Sequence, residues 1–398
     1  MSTGRGVLSR LRETFIGNVS VFIIIPEGER GACGCGTIQH PSYPGKGVKY
    51  GAPVVSQAYI RGMTINNAAV MPVMHTPDGF LDHPVSLAAW VVALGFIVVA
   101  LMRSRAELGP LGKVGVLRAG LVAGAIFAAQ MINFPVSSGT SGHLLGGALA
   151  VALVGPWTAV LILTSVLAVQ AFVFADGGIM ALGVNIVLMA VVGVFAAYGV
   201  MALMGRVAKG RRSAVVGAGI AALASVPAAA LTFVAFYAAG GAVAIPLSAL
   251  AANMLGWHAL IGVGEAAITL AVVAVVVALR PDMVWACKDA KLGEAANTRV
   301  PLKVLARAAL GASALTAGGL SLLASSHPDG LEFVAGALGF EGAAQDSVMA
   351  LSPLADYALP ALGNLGNSAA GLVGLSITLL LALTITWTTT RLPSPQKA

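Results

Sequence analysis

The sequence predicts an all-α polytopic membrane protein, a seven-helix bundle followed by a two-helix C-terminal module. Three observations predict it. Only 10% of the 398 residues are charged and 58% are hydrophobic, whereas soluble domains carry about 25% charged residues. Apolar blocks recur along most of the chain, several of them near the length of about 20 residues that spans a bilayer. Lys and Arg collect in alternate connections between those blocks, as the positive-inside rule requires.

Residues 1–73 stand apart. They carry scattered charges, including Arg5, Arg10, Glu27, Lys46 and Arg61. Their one apolar run, Val19–Pro26, is too short to cross a bilayer and lacks a signal-peptide cleavage pattern. Two readings follow: a disordered cytoplasmic tail, or codons upstream of a real start at Met63, Met71 or Met74. Cys33-Gly34-Cys35 lacks the second cysteine pair of a metal site, and with Cys287 it makes no disulfide framework.

From Ser86 the expected spans are 86–102, 113–132, 143–154, 157–175, 179–205, 213–239 and 259–279, then 304–324 and 369–389. Block 143–154 is short and is broken from the next by Gly155-Pro156, so it is either a steep short helix or a re-entrant piece, tolerable only under protein cover. A further short helix is expected within 245–258. Arg103, Arg105 and Lys113, the cluster Arg206–Arg212, and the run from Arg280 to Lys303 mark cytoplasmic connections, as do Arg391 and Lys397 at the end. The remaining loops, 133–142, 176–178, 240–246 and 325–368, contain no Lys or Arg. This places the start of the core outside and the C-terminus in the cytoplasm of a cell-membrane protein. The expected domains are therefore an extension, 1–73; a membrane domain, 74–280; a cytoplasmic linker, 281–303; and a two-helix module, 304–398.

The formal charge of +7 is accounted for by membrane orientation, so it implies no nucleic-acid partner. No phosphate-binding loop is present, so any ATP hydrolysis must occur on partner subunits. No resident cofactor is expected.

The chemistry concentrates in histidines that fall on the outer side: His75, His83, His143, His258 and His327, with His40 in the extension. If Met74 is the first residue, its free amine, the His75 backbone nitrogen and His75 Nδ1 close a five-membered and a six-membered chelate ring. Three nitrogens then lie in one plane around one ion. Planar nitrogen coordination suits Cu²⁺ or Ni²⁺ by base rate, and Co²⁺ where the site imposes the plane. A fourth nitrogen should come from His143, at the end of a small polar loop, Ser137–Gly142, that can fold inward. Glu265, an acid inside a span, is costly and hence functional by default. It shares a helix face with His258 at i, i+7, and both are candidates to orient a ligand or hold structure. Asn185 and Gln170 need interior partners, Asp176-Gly177-Gly178 reads as a tight turn, and Asn185 and Asp176 join His258 and Glu265 as candidates that orient the ligands or hold structure.

Together these residues resemble the CbiM/NikM family, the substrate-binding components of energy-coupling factor transporters for cobalt and nickel. The stretch Met74-His75-Thr76-Pro77-Asp78-Gly79-Phe80-Leu81 resembles the family's start, with Thr76 where Ile is more usual. Gly142-His143 with Gly155-Pro156-Trp157, then Asp176-Gly-Gly with Leu182-Gly-Val-Asn185, and His258 through Thr269, resemble its later motifs. His327-Pro-Asp-Gly-Leu-Glu332 resembles the PDGLE module, a CbiN-like partner. The resemblance implies ion capture by Met74, His75 and His143, with a transmembrane coupling protein and two cytoplasmic ATPases as partners, and a module that assists loading. With residues 1–73 attached, Met74 has no free amine, which puts that ligand in doubt. The leading expectation is cobalt uptake, with nickel as the alternative. An intramembrane enzyme using Glu265 and His258, or a passive channel, are the readings from other classes.

Overall fold

The computed structural model describes residues 74–137, 139–288 and 300–391. The expectations for residues 1–73, for Cys33 and Cys35, and for most of the linker lie outside the described residues.

Eight helices among the described residues are long and apolar enough to cross a membrane. In chain order the elements are α1 (His83–Leu108), α2 (Lys113–Gln130), a hairpin of β1 (Phe134–Ser137) and β2 (Thr140–Gly142), α3 (Gly147–Val154), α4 (Pro156–Phe174), α5 (Leu182–Val207), α6 (Arg211–Gly240), α7 (Leu247–Leu279), α8 (Leu302–Gly318), α9 (Gly330–Leu338) and α10 (Gly366–Arg391). Glycine and proline set most of the breaks. Gly155 takes φ +93° ahead of Pro156, and Pro156 starts α4. Asp82 caps α1 by accepting a hydrogen bond from Val85 N at 2.9 Å, ahead of Pro84 in the first turn, a common helix start. Leu87, Val91, Leu94 and Val98 on α1 are exposed, an apolar face suited to lipid. The chain is a multi-pass membrane protein.

The structure refines one expectation and corrects two. Block 143–154 is short, as expected. Its helix, α3, has eight residues and rises only about 12 Å. All eight are buried, and its N-terminal glycine lies against the backbone of Gly193 in α5. The chain nevertheless runs from His143, beside Met74, to Gly155, beside Glu107 at the far end of α1. Surrounding helices cover the irregular backbone on the way. Secondly, 245–258 is no separate helix: it is the beginning of α7, which runs unbroken for 33 residues. Thirdly, the polar loop before His143 is an antiparallel hairpin with Pro135 opposite Ser141.

α5 contains eight residues, Ile186–Gly193, in π-helical geometry, a local widening frequent at functional sites. It directly follows Asn185. Gly183, one turn earlier, lies so close to α1 that an added Cβ would sit 2.6 Å from the Trp90 ring and 2.7 Å from its backbone. Gly183→Ala is therefore expected to destabilise the protein by about 1–3 kcal/mol through overpacking, read as a lowered unfolding midpoint in detergent.

The C-terminal module packs on the bundle. Gly120 and Gly124 of α2 face Leu383, Leu379 and Leu375 of α10, the small-residue spacing that lets membrane helices approach closely. Arg118 of α2 donates to the Met283 carbonyl at 3.2 Å. Met283, Val284 and Cys287 are buried, so the first turns after α7 belong to the packed body.

Candidate metal site

Met74–Leu81 forms no helix. Pro77 and Gly79, with φ +90° at the glycine, keep it extended across one end of the bundle. Leu81 bridges to Gly241, and Asp78 bridges to Gln345 of the C-terminal module. The backbone on both sides of His75 is held. Met74 N donates to Asp176 Oδ1 at 2.9 Å. Thr76 N donates to Asn185 Oδ1 at 3.1 Å, and Thr76 O accepts from Asn185 Nδ2 at 3.1 Å. The Asp176 turn forms because Ala175 and Gly177 both adopt left-handed conformations, φ +57° and +86°. Gly178 N then donates back to Thr76 O at 3.1 Å.

His75 is 4% exposed. Its Nδ1 lies 3.1 Å from Asp176 Oδ1, and its Nε2 has no hydrogen-bond partner. A buried imidazole with a nitrogen left unsatisfied calls for an explanation. The His143 ring is 5.5 Å away, centroid to centroid. Metal–nitrogen bonds of about 2.0–2.1 Å bring two imidazoles on one ion to roughly this spacing. His143 Nε2 is 2.9 Å from Met74 O, and its Nδ1 is 3.2 Å from Leu144 O. A backbone carbonyl on the second nitrogen is the usual way a ligand imidazole is oriented.

Glu265, on α7, sits behind His143. Its two oxygens accept from Leu145 N at 2.8 Å and Gly146 N at 3.0 Å, which fixes the backbone after His143. Both oxygens are thereby engaged in holding structure. His258 Nδ1 is bonded to Met254 O at 2.8 Å. Its side chain lines the same cavity, of about 70 Å³, as Met74, His75, His143, Asn185 and Asp329. His83 and His327 are exposed and do not join them. Gln170 donates to Gln130 Oε1 at 3.0 Å inside the bundle, an interhelical role. Among the described residues, no three His, Cys, Asp or Glu side chains form a metal-ligating group. A transition-metal ion taken here would have to use backbone nitrogen as well.

Two site residues were missed by sequence reasoning. Asp329, in the Pro-Asp-Gly-Leu-Glu motif, places Oδ2 3.7 Å from His143 Nε2. Its other oxygen caps α9 by accepting from Glu332 N at 2.8 Å, half of a capping box. The motif was visible, but only the fold brings it to His143. Ser141 makes that approach possible by donating from N and Oγ to the Pro328 and His327 carbonyls, both at 2.8 Å. Burial alone would lower the His143 pKa, but the Asp329 carboxylate, with help from the Leu144 carbonyl and Asp176, outweighs it and raises the value. The second missed residue is Tyr357, whose hydroxyl donates to Asp176 Oδ2 at 2.7 Å. Nothing in the sequence marks it. Burial would raise the Asp176 carboxyl, but the His75 ring, the Tyr357 hydroxyl and Met74 N–H together hold it below the usual range.

Residues 75–283 match the family described as the cobalt uptake substrate-specific transmembrane region, CbiM. The chain belongs to the CbiM family. Residues 303–391 match the PDGLE domain, so the CbiM segment and the PDGLE segment are joined in one polypeptide. A putative fused nickel transport protein, NikMN, of Archaeoglobus fulgidus is 36% identical over 315 residues, 79% of this chain and 98% of the relative. A putative metal transport protein of Haloquadratum walsbyi is 40% identical over 212 residues, 53% of this chain and 94% of the relative. A crystal structure of a truncated transition metal transporter, 28% identical, covers 52% of this chain and 99% of its own, with a TM-score of 0.42. The CbiM membership makes the chain a component of cobalt or nickel transport rather than an enzyme. Seen from the site, Glu265 accordingly braces the His143 loop.

Proposed function

We propose that this protein is the substrate-specific component of an ATP-driven energy-coupling factor importer. It takes up Co²⁺ or Ni²⁺ through nitrogen ligands from Met74, His75 and His143 at the outer face of the membrane. The observation that carries this reading is the buried His75 imidazole, with Nε2 unpartnered, held beside Met74 N and 5.5 Å from the His143 ring. A cavity of about 270 Å³ next to His75 is lined by Asp329, Glu332, Glu341, Asp346 and Asp356. An acidic approach of this kind concentrates cations. Asp176 and Asn185 hold the Met74–Thr76 backbone, and Glu265 holds the His143 loop. His258 lines the cavity as a structural neighbour.

The amine ligand requires a functional chain that begins at Met74. Intact-mass measurement of the purified protein tests this; a transporting chain that begins at Met1 would remove Met74 from the ligand set. The family description supports cobalt as cargo, and the nickel name of the fused Archaeoglobus relative, matched over nearly its full length, supports nickel. Metal analysis of protein purified from cells supplied with both ions distinguishes them. The coupling subunits are proposed to be a transmembrane protein and two cytoplasmic ATPases. Uptake of labelled Co²⁺ and Ni²⁺ by cells with and without those subunits tests the whole reading. ATPase-dependent uptake is expected, and accumulation of neither ion would overturn it.

A further inference from the structure

Asp176 is the hub of the site, since its Oδ1 meets both Met74 N and His75 Nδ1. Its other oxygen, Oδ2, is taken by Tyr357, 181 residues further along and in the C-terminal module. Tyr357 is 2% exposed. Its ring stacks on Phe174, the last residue of α4, at 4.4 Å and 9° between planes. Phe174 immediately precedes the Ala175–Asp176 turn. Ser352 fixes the same stretch by donating to the Val173 carbonyl at 2.6 Å. Asp356 and Tyr357 both take φ +54°, a left-handed conformation that a tyrosine rarely adopts. Such outliers persist only where their surroundings over-determine them. Here the stack and the hydroxyl bond are the surroundings.

We infer that Tyr357 is a positioning residue of the metal site, by which the C-terminal module sets the orientation of the Asp176 carboxylate and, through it, of the Met74-His75 chelate. With the Tyr357 hydroxyl on Oδ2, the carboxylate cannot rotate freely, and Oδ1 stays aimed at Met74 N and His75. The module thus does more than pack against the bundle: it supplies one hydrogen bond to a residue that orients the ligands. Partners of this kind typically account for 10–100-fold in metal affinity. The inference rests on the proposed site at Met74 and His75.

The test uses the full chain and equilibrium binding of Ni²⁺ and Co²⁺. Tyr357→Phe keeps the ring on Phe174 and removes only the hydroxyl. The expected result is a 10–100-fold weaker affinity with a displaced metal absorption band. Because Tyr357 acts through Asp176, the same change in an Asp176→Asn background should alter affinity by less than about twofold, the non-additivity of residues in one network. An equal loss in both backgrounds would mean that Tyr357 acts elsewhere and would overturn the inference, as would wild-type affinity and spectrum in Tyr357→Phe. His75→Ala measured alongside separates the two levels. If His75→Ala binds like the wild type, the site itself is misplaced. If His75→Ala loses binding and Tyr357→Phe does not, only the role of Tyr357 fails.

Discussion

His75→Ala is expected to weaken binding of Co²⁺ and Ni²⁺ by at least about a hundredfold and to abolish uptake, while leaving the protein in the membrane. The size follows from the chelate. The substitution deletes Nδ1 and with it the six-membered ring, so one of the four proposed nitrogens is lost and the amide nitrogen loses the closure that favours its deprotonation. Loss of an outer-shell partner alone costs 10–100-fold, and loss of a ligand costs more. Stability should fall as well. The His75 ring is buried 3.1 Å from the Asp176 carboxylate, so its removal takes a partner from a buried acid and leaves a small cavity. Isothermal titration of purified protein, together with labelled-ion uptake, measures both sides. Unchanged affinity in His75→Ala would sink the site assignment.

Glu265→Ala is expected to weaken ion binding by roughly 10–100-fold and also to destabilise the fold. Glu265 is fully buried and accepts from Leu145 N and Gly146 N. Alanine leaves both amides without acceptors, at a cost of roughly 1–3 kcal/mol for each buried group. The backbone between His143 and α3 then keeps Gln130, which donates to Leu145 O at 3.1 Å, but loses both amide anchors, so His143 shifts relative to Met74 and His75. Glu265→Gln keeps one acceptor oxygen and should fall between wild type and alanine in both affinity and unfolding midpoint. A variant with wild-type affinity but lowered stability would make Glu265 a brace for the fold alone.

Much of this was legible in the sequence because the membrane imposes simple rules. Hydrocarbon forces backbone hydrogen bonds to close within each span, so long apolar runs read directly as helices, and α1, α2, α4, α6, α8 and α10 fall close to the expected blocks. Met74, His75, His143, Asn185, His258 and Glu265 were named from residue type and spacing, Asp176 as a turn and by resemblance, and the fold brings them around one small region. The block 143–154 reads as short from its Gly155-Pro156 break, and glycines with positive φ at Gly146 and Gly155 do hold its helix to eight residues. What misled was local. The stretch 245–258 carries no break strong enough to end a helix, so α7 simply extends through it.

By itself the sequence determined the class, the approximate spans, and a short set of polar residues that an apolar chain has no cheap reason to keep. Those conclusions depend on composition and near-neighbour chemistry, which a linear pattern carries. Tertiary structure alone decided which oxygen faces which nitrogen. Asp329 meets His143 only because Ser141 holds the Pro328 segment against the hairpin. Tyr357 reaches Asp176 only because its ring stacks on Phe174 and its backbone accepts a left-handed turn. Contacts between residues more than 180 positions apart arise from packing of the C-terminal module on the bundle, and no local periodicity records them.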